Sequence, residues 1–370
     1  MKVLHVGVGN LFGGIETILV TLARYRPLCP EMEQHFAVFY DTRLATELRE
    51  AGATVHVLGA VRFSRPWTVL RVRRTLGRLL QELDFDAVIC HSSWPLAVCG
   101  GTIRQKKCTS VVWLHSRVEG AHWTERLAGW YRPDGAICVS KDTAETLPKL
   151  FENLRHEIIY TPLPNDPEKL FVQRDAVRAE FGVAAETVVI LQASRMEEWK
   201  GQRTHLNALA LLKDVPNWVL WMAGGAQRPA EERFVRELKE ICGGSGLNDR
   251  VQFLGNRSDV TRLMSGADIY CQPNSGPEGF SIVFLEACLS RLPIITGKLG
   301  GALEIVDERS GVLLKPGDAS DCAQALRRLI GSPELRREMG QAGRERALRM
   351  CDPRGQLKKI HDFMQRLSNA

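Results

Sequence analysis

Residues 269–287 read IYCQPNSGPEGFSIVFLEA and contain the pattern that decides the fold. Residues 269–272 form a short, mostly apolar run that is typical of a buried strand. Proline and glycine in residues 273–279 predict a turn, and a helix is expected from about Ser281, whose hydroxyl suits the N-cap position. A strand, a turn and a helix in this order are the unit from which parallel α/β sheets are built.

This unit recurs along the whole chain. Further strands are predicted at residues 3–8, 35–40, 54–58, 87–91, 111–115 and 136–139, and then at 188–193, 218–223, 251–254, 294–296 and 311–314. Helical patterns lie between most of these runs. Strands that alternate with helices imply right-handed crossovers and a parallel sheet that is covered on both faces.

The segment Thr161–Pro167 interrupts the alternation with three prolines in seven residues. Such a segment continues neither a helix nor a central strand, so it is predicted to link two domains. We therefore expect an α/β protein with two Rossmann-like domains facing a cleft, at residues 1–166 and 167–352. An amphipathic helix is predicted at residues 353–370. Ligands of such sheets bind beyond the carboxyl ends of the strands.

Composition and charge narrow the class of protein. The chain has 370 residues, of which 44% are hydrophobic and 25% charged, and its formal net charge of +6 does not favour a nucleic-acid partner. The N-terminus lacks a signal-peptide pattern and no apolar run is long enough to span a membrane. The expected site of action is therefore the cytoplasm or a membrane surface facing it. Ten scattered cysteines form no C-x-x-C pair and are expected to be buried, reduced thiols.

Two carboxylates stand eight residues apart in the opening segment, Glu278 in the turn and Glu286 on the helix. Eight helical residues span about 12 Å, so the pair cannot share one proton. The two could hold separate parts of one extended ligand, because each carboxylate accepts hydrogen bonds from neighbouring hydroxyls. An ordinary helix with one glutamate before it and one on its flank fits the spacing equally well.

Two cations follow the predicted strand 188–193. Arg195 lies just past the strand end, and Lys200 lies at the start of the next helix. A guanidinium and an ammonium beside a helix N-terminus suit a pyrophosphate, and they would stabilise a leaving nucleoside diphosphate without a divalent metal. Two solvated surface cations are the alternative interpretation.

The N-terminal half offers its own strand-end candidates. Gly13, Gly14 and Glu16 follow the first strand, where backbone without Cβ lets a phosphate or sugar approach closely. The preceding glycines do not complete G-x-G-x-x-G, so NAD binding is disfavoured. His115 ends the strand 111–115, where it could donate a hydrogen bond to a sugar or serve as a structural histidine.

Three other patterns are each compatible with an ordinary structural role. Asp84-Phe85-Asp86 has the D-x-D form of a metal site but falls where a helix meets a buried strand, so a solvated junction is predicted and no metal is expected. Gly224-Gly225 predicts a tight turn or a neighbour of a phosphate. The stretch Arg62–Arg78 carries six arginines and no acidic residue among apolar ones, which fits an anionic membrane surface or a helix with a solvated basic face.

Together these segments resemble the family-four retaining glycosyltransferases, which have the GT-B architecture. Glu278 to Ala287 is similar to the family's E-x7-E signature, Arg195 with Lys200-Gly201 to its R…KG clamp, and Gly13-Gly14 to its early glycine-rich turn. Residues 300–306 and 315–318 look like later landmarks. Ser281 stands where glycine is frequent in the family, and Arg291 stands where a small residue is typical. The approach to Glu278 through Gly276-Pro277 is also atypical.

The resemblance implies roles for individual residues. Arg195, Lys200 and Gly14 would hold the donor diphosphate, and Glu286 would bind the nucleoside ribose. Glu278 and His115 would act at the transferred sugar. The resemblance also implies further residues at the donor sugar and elsewhere in the cleft. These are Gly279, Phe280 and Ser281 for the donor sugar, and Gly13 and Glu16 elsewhere in the cleft. The C-terminal helix would cross back to the N-terminal domain.

The implied reaction is the metal-independent transfer of a sugar from a nucleoside-diphosphate sugar to a hydroxyl acceptor, with retention at the anomeric carbon. No cofactor is expected and no protein nucleophile is identified. Two other functions remain open, a nucleotide-sugar epimerase and a catalytically silent sugar-nucleotide-binding protein. The base, the sugar and the acceptor are not readable from these segments, because loops build those pockets.

Overall fold

The computed structural model of the chain describes residues 1–106, 108–163, 174–226 and 228–369. The chain divides into two compact units. The first unit consists of the described residues before segment 164–173 together with those from Cys351 onward. The second unit consists of the described residues between that segment and Met350. The predicted boundary at 166/167 and most of the proline-rich segment fall outside the described residues.

The N-terminal unit is a parallel sheet covered by helices. Its strands are β1 (Lys2–Gly7), β2 (Glu33–Val38), β3 (Thr54–Val57), β4 (Ala87–His91), β5 (Thr109–Leu114), β6 (Gly135–Cys138) and β7 (His156–Ile158). Its helices are α1 (Gly14–Tyr25), α2 (Arg43–Glu50), α3 (Pro66–Leu83), α4 (Ser93–Gln105), α5 (Trp123–Gly129) and α6 (Lys141–Thr146). The strand order β3-β2-β1-β4-β5-β6-β7 reverses direction between β1 and β4. The crevice at such a reversal is where ligands bind.

The second unit repeats this plan with six parallel strands. They are β8 (Val188–Ala193), β9 (Trp218–Ala223), β10 (Val251–Gly255), β11 (Ile269–Gln272), β12 (Ile294–Gly297) and β13 (Gly311–Leu314). The helices are α7 (Arg174–Glu180), α8 (Gln202–Ala210), α9 (Pro229–Gly244), α10 (Val260–Gly266), α11 (Ile282–Leu289), α12 (Ala302–Ile305), α13 (Ala319–Gly331) and α14 (Pro333–Met350). The order β10-β9-β8-β11-β12-β13 reverses between β8 and β11, the strands that precede the predicted donor loops.

Burial of the central strands explains why their apolar runs are easy to recognise in the sequence. Every residue of β4, β8 and β11 is buried, because helices cover both faces of a parallel sheet. The polar residues at their ends, His91 and Gln272, are also fully buried. A buried polar side chain needs a hydrogen-bond partner, so these strand ends are places where function is to be sought.

The last helix, α15 (Pro353–Ser368), belongs to the N-terminal unit. Leu357, Ile360 and Met364 on its apolar face are fully buried. At Gly135 an added Cβ would lie 2.6 Å from the end of the Leu367 side chain, so the helix packs closely against the start of β6. The α/β fold class and the crossing of the C-terminal helix back to the N-terminal unit are therefore confirmed.

Several local expectations are also settled. Asp84 ends α3 in a left-handed conformation, and Asp86 accepts a 2.6 Å hydrogen bond from the Lys2 amide, so the D-x-D pattern is the predicted helix–strand junction. All ten cysteines are free and all except Cys108 are buried, as expected. Strand β7 was missed, because His156-Glu157-Ile158 is a polar edge strand without an apolar run. None of the described helices is long and apolar enough to cross a bilayer.

Candidate functional site

The site in the second unit begins with two loops that leave neighbouring strands. Residues 194–201 follow β8 and residues 273–281 follow β11, and the two strands pair side by side. At Gly201, with φ of +77°, an added Cβ would lie 1.9 Å from the carbonyl oxygen of Pro273. The Ser275 amide donates to the Trp199 carbonyl at 2.9 Å. The two loops are therefore joined backbone to backbone, and glycine is required at the contact.

A third loop, after β12, supports the backbone around Glu278. The amide of Gly301 donates to the Glu278 carbonyl at 2.8 Å. At Gly300, with φ of +58°, an added Cβ would lie 2.5 Å from that same carbonyl oxygen, and at Gly301 one would lie 1.9 Å from the Gly279 oxygen. Both glycines allow a close approach that no other residue permits. Gly300 and Gly301 thus hold the loop around Glu278 in place.

A buried ion pair lies where these loops meet. Lys200 Nζ is 2.6 Å from Glu278 Oε1, and the two side chains are only 7% and 19% exposed. Glu278 Oε2 accepts a hydrogen bond of 3.1 Å from Asn274 and one of 3.4 Å from Gln272. Lys200 Nζ also lies 4.1 Å from the centre of the Trp199 ring. The structure thus joins two residues for which the sequence implied separate roles.

The Lys200 loop is held from behind by buried side chains. Gln192, at the end of β8, donates from its amide nitrogen to the Lys200 carbonyl at 2.9 Å, and its amide oxygen lies 2.8 Å from His205 Nδ1. Burial lowers the pKa of His205 to about 3, so that imidazole is neutral and can donate to Gln192. Gln202 donates to the Arg195 carbonyl at 2.8 Å. These bonds fix the loop backbone before any ligand arrives.

Arg195 differs from Lys200 in its surroundings. Its side chain is 55% exposed and forms an ion pair of 2.9 Å with Glu197. Because its guanidinium is largely exposed and carries five N–H donors, Arg195 keeps donors that a phosphate can accept from while it is paired with Glu197. The structure gives the two predicted clamp residues different carboxylate partners, Glu278 and Glu197, and leaves Arg195 far more exposed than Lys200.

The start of α11 corrects one expectation. Ser281 is at the N-cap position, but its side chain forms no capping hydrogen bond. Its hydroxyl is buried and has no hydrogen-bond partner in the described part of the chain. Gly279 and Phe280 are buried beside it, and Glu286 is half-buried on the helix flank. A buried hydroxyl left without a partner is the kind of group that a bound ligand satisfies.

The glycine-rich turn of the N-terminal unit is built around Glu16. The Gly13 amide donates to Glu16 Oε2 at 3.0 Å, which closes the first turn of α1. Burial raises the pKa of this carboxyl group, which is only 9% exposed. The resemblance implied that Glu16 is a cleft residue. In the structure its carboxylate accepts a hydrogen bond from the Gly13 amide at the start of the same helix. Gly13 and Gly14 are exposed, with Gly14 opening the helix.

His115 directly follows β5 and contacts a second histidine. Its Nε2 atom lies 3.0 Å from Nδ1 of His91, and the two nearly parallel rings meet at their edges, with centres 5.2 Å apart. Burial lowers the pKa of His115 to about 3, so the ring is neutral. Its other nitrogen, Nδ1, is buried and finds no partner among the residues that the structure describes.

Sequence reasoning missed three contributors to these sites, Gln272, Asn274 and His91. Gln272 and Asn274 orient Glu278, and His91 contacts His115. A signal was present for Gln272 and His91, because each is a polar residue at the end of an otherwise apolar strand. Ser92, next to His91, has φ of +100°, a conformation rare outside glycine and common where function requires strain.

Two observations concern other kinds of site, a cavity and a metal centre. A cavity of about 530 Å³ in the second unit is lined by Asp268 and Leu292, which precede β11 and β12, and it contains none of the predicted site residues. Within the described ranges, no group of three or more His, Cys, Asp or Glu side chains is arranged to hold a metal ion. At Gly224 an added Cβ would lie 2.1 Å from the Ser194 oxygen, which accounts for that glycine as a tight backbone contact.

Family models match both units. Residues 12–166 match Glycosyltransferase Family 4, and residues 173–346 match Glycosyl transferases group 1. A D-inositol 3-phosphate glycosyltransferase of Saccharomonospora viridis is 32% identical over 184 residues, which are 48% of this chain and 42% of that protein. The chain therefore matches less than half the length of this relative. LpsD of Rhizobium meliloti, a lipopolysaccharide core biosynthesis glycosyltransferase, is 26% identical over 347 residues, 93% of this chain and 92% of that protein.

Solved structures share the fold. HepE of Anabaena, solved in complex with UDP and glucose, superimposes with a TM-score of 0.84 at 24% identity, over 99% of each chain. WaaG, a glycosyltransferase of lipopolysaccharide biosynthesis, superimposes with a TM-score of 0.70 at 16% identity, over 98% of this chain and 99% of that one. Two Rossmann-like units with a returning C-terminal helix define a GT-B protein. The chain belongs to the family-four-like glycosyltransferases, as its motifs indicated.

Proposed function

We propose that the protein transfers a sugar, of hexose type, from a nucleoside-diphosphate sugar to a hydroxyl acceptor. The buried Lys200–Glu278 pair carries this proposal, because it places a cation and a carboxylate together at the carboxyl ends of β8 and β11. A cation there suits a diphosphate, and a carboxylate there suits sugar hydroxyls. The unpartnered Ser281 hydroxyl beside them offers a further contact for the same ligand.

The donor lies on the second unit in this proposal. Arg195, Lys200 and Gly14 are assigned to the diphosphate, and Glu286 is assigned to the ribose. Glu278, His115 and the segment Gly279–Ser281 are assigned to the sugar. A relative from Corynebacterium glutamicum, 26% identical over 73% of both chains, is named as GDP-mannose-dependent, and HepE was solved with UDP-glucose. These names support a nucleotide-sugar donor without selecting the base.

The proposed reaction retains the anomeric configuration and uses no metal. The bond from the anomeric carbon to the diphosphate oxygen breaks, and a bond to the acceptor oxygen forms on the same face. The acceptor proton passes to the leaving phosphate. Arg195 and Lys200 offset the charge that develops on the diphosphate, and Lys200 retains donors for it while paired with Glu278.

The test is a measurement of donor binding and product formation. We expect nucleoside diphosphate to be released from a sugar nucleotide only with an acceptor, and at an undiminished rate in EDTA. Arg195→Ala and Glu286→Ala should each weaken nucleoside-diphosphate binding by about tenfold, the worth of one lost charged hydrogen bond. Arg203→Ala, which removes an exposed arginine from the same unit, is the control. Unchanged affinity in both site variants would mean that the donor site is assigned wrongly.

The same assay separates the alternatives. Incubation with sugar nucleotides alone would yield epimerised donor if the protein were an epimerase. Nucleotide binding without release or epimerisation, across sugar and acceptor panels, would indicate a silent binding protein. NMR of the new glycosidic bond reports whether configuration is retained. Relatives named for inositol phosphate, phosphatidylinositol mannoside and lipopolysaccharide core show that acceptors differ widely among similar chains.

We further propose that α3 contacts an anionic membrane, such as the inner face of the plasma membrane. Trp67 and Leu70 on this helix are 60% and 52% exposed, and Arg71 and Arg74 are exposed beside them. Exposed aromatic and aliphatic side chains among arginines suit the headgroup region of such a membrane. Arg73 is different, because it donates to the Val98 carbonyl at 2.7 Å.

Vesicle sedimentation tests this contact. The protein should sediment with anionic vesicles at low salt, and an Arg71→Glu/Arg74→Glu variant should not. Arg233→Glu/Arg236→Glu changes the same charge on two exposed arginines of α9 and should leave binding intact. Equal sedimentation of the two double variants would exclude α3 as the contact.

A further inference from the structure

Three histidines form a continuous row across the N-terminal sheet. His5 on β1, His91 at the end of β4 and His115 after β5 lie on neighbouring strands. His5 Nδ1 is 3.0 Å from His91 Nε2, and His91 Nδ1 is 3.0 Å from His115 Nε2. His5 and His91 are completely buried. The row therefore runs from the sheet interior to the strand end where His115 is proposed to meet the sugar.

All three rings are neutral. Burial lowers the pKa of His5 and His115 to about 3, and lowers the pKa of His91 well below its usual range. A neutral imidazole carries one N–H and one lone pair. Each of the two contacts therefore needs the N–H of one ring to point at the lone pair of the next.

This requirement couples the three tautomers. If His5 donates to His91, then His91 donates to His115, and His115 carries its proton on Nδ1. If the direction is reversed, His115 donates through Nε2, and its Nδ1 becomes an acceptor. No mixed arrangement keeps both contacts. His115 Nδ1 has no partner among the described residues. Whether this nitrogen donates or accepts a hydrogen bond therefore depends on the two buried rings of His91 and His5.

We propose that His91 and His5 are positioning residues that fix the orientation and the tautomer of His115 for contact with the transferred sugar. This inference rests on the proposed transfer reaction and names residues that its direct contacts do not include. Packing adds to the effect, because the His91 ring also lies beside Trp113, with the two ring centres 5.1 Å apart. A ring with a hydrogen-bond partner at each nitrogen has one orientation.

Variants at position 91 separate the hydrogen bond from the packing. His91→Asn places an amide near the position of Nδ1 and can keep the bond to His115. His91→Phe keeps the stacked ring and loses both bonds. We expect His91→Phe to lower kcat/KM by roughly tenfold or more, as loss of a buried hydrogen bond does, and His91→Asn to retain most of the activity. Affinity for nucleoside diphosphate should be unchanged in both, because neither variant alters a residue assigned to the diphosphate or the ribose.

A second histidine pair supplies the control. His35 Nδ1 and His56 Nε2 are 3.1 Å apart, with stacked rings on β2 and β3 of the same sheet, and neither belongs to the row. His56→Phe also removes one bond between stacked imidazoles. It should leave kcat/KM unchanged.

The tautomer is measured without reference to catalysis. In ¹⁵N NMR of the full chain, His115 should show one tautomer in the wild type and in His56→Phe, and an averaged pair of nitrogen shifts in His91→Phe and His5→Phe. An unchanged His115 spectrum in His91→Phe, or equal activity of His91→Phe and His91→Asn, would overturn the proposal. If no sugar nucleotide supports transfer, the proposed function fails, while the spectra still report whether the row sets the tautomer.

Discussion

Lys200 is the residue whose environment the tertiary structure changes most. In the sequence it reads as a cation beside a helix, free to meet a phosphate. In the structure it is buried against Glu278, whose second oxygen is held by Asn274 and Gln272. Burying two charges costs desolvation that their attraction does not always offset, so such pairs often serve function more than stability.

Replacing Lys200 with methionine tests the role of its ion pair with Glu278. The variant leaves the Glu278 carboxylate without its cation, which should lower the free energy of unfolding of the second unit by about 2 kcal/mol. Transfer should fall by about 10²-fold, because a preorganised charge beside the leaving group is lost. Thermal unfolding and initial rates check the two effects.

Arg203→Met is the matched control for this prediction. Arg203 pairs with Glu237 at the surface, where both side chains are about 40% exposed, so its removal should change stability by less than about 1 kcal/mol. A wild-type rate in Lys200→Met would contradict the role given to the lysine.

At the scale of elements, the loops after β8, β11 and β12 act as one assembly. Each is a separate turn in the sequence, but glycines at 201, 300 and 301 let their backbones touch. The turn residues were predictable from proline and glycine content. Which loop touches which was not, because that depends on the strand order β8-β11-β12, in which strands far apart in the chain are neighbours.

Gly201→Ala tests the assembly. An alanine there meets the Pro273 oxygen at 1.9 Å in addition to adopting a φ of +77°. Gly317 has almost the same φ, +75°, and open space around it. Gly317→Ala should therefore cost about 1 kcal/mol from backbone strain alone, while Gly201→Ala should cost clearly more and weaken nucleotide binding. Chemical denaturation and nucleotide titration measure both, and equal losses would show that the loop contact is unimportant.

The whole molecule contains buried neutral histidines in both units. His5 and His115 in the first unit and His205 in the second each have a pKa lowered to about 3 by burial, against 6.5 for a free side chain. Below about pH 6.5 the unfolded chain binds protons that the folded chain excludes, so stability falls as pH falls towards 3. Glu16, whose pKa is raised by burial, acts in the opposite direction.

We therefore expect acid sensitivity at mild pH. Well below pH 6.5, each such histidine should remove about 1.4 kcal/mol of unfolding free energy per pH unit. Denaturant midpoints at about pH 7 and about pH 5 measure the loss. His205→Phe should reduce the pH dependence of the second unit while that of the first stays the same. Midpoints that do not move between the two pH values would contradict the neutral, buried state of these rings.

The sequence by itself determined the fold class and the candidate donor residues. Periodic apolar runs mark buried strands directly, and the E-x7-E and R…KG segments each lie within one local unit. Edge strand β7 escaped because an exposed strand needs no apolar run. Only the tertiary structure decided that Lys200 pairs with Glu278, that Ser281 caps nothing, and that His5 and His91 stand behind His115. Such contacts join residues 24 to 86 positions apart, and strand order, which local patterns do not encode, decides which of them meet.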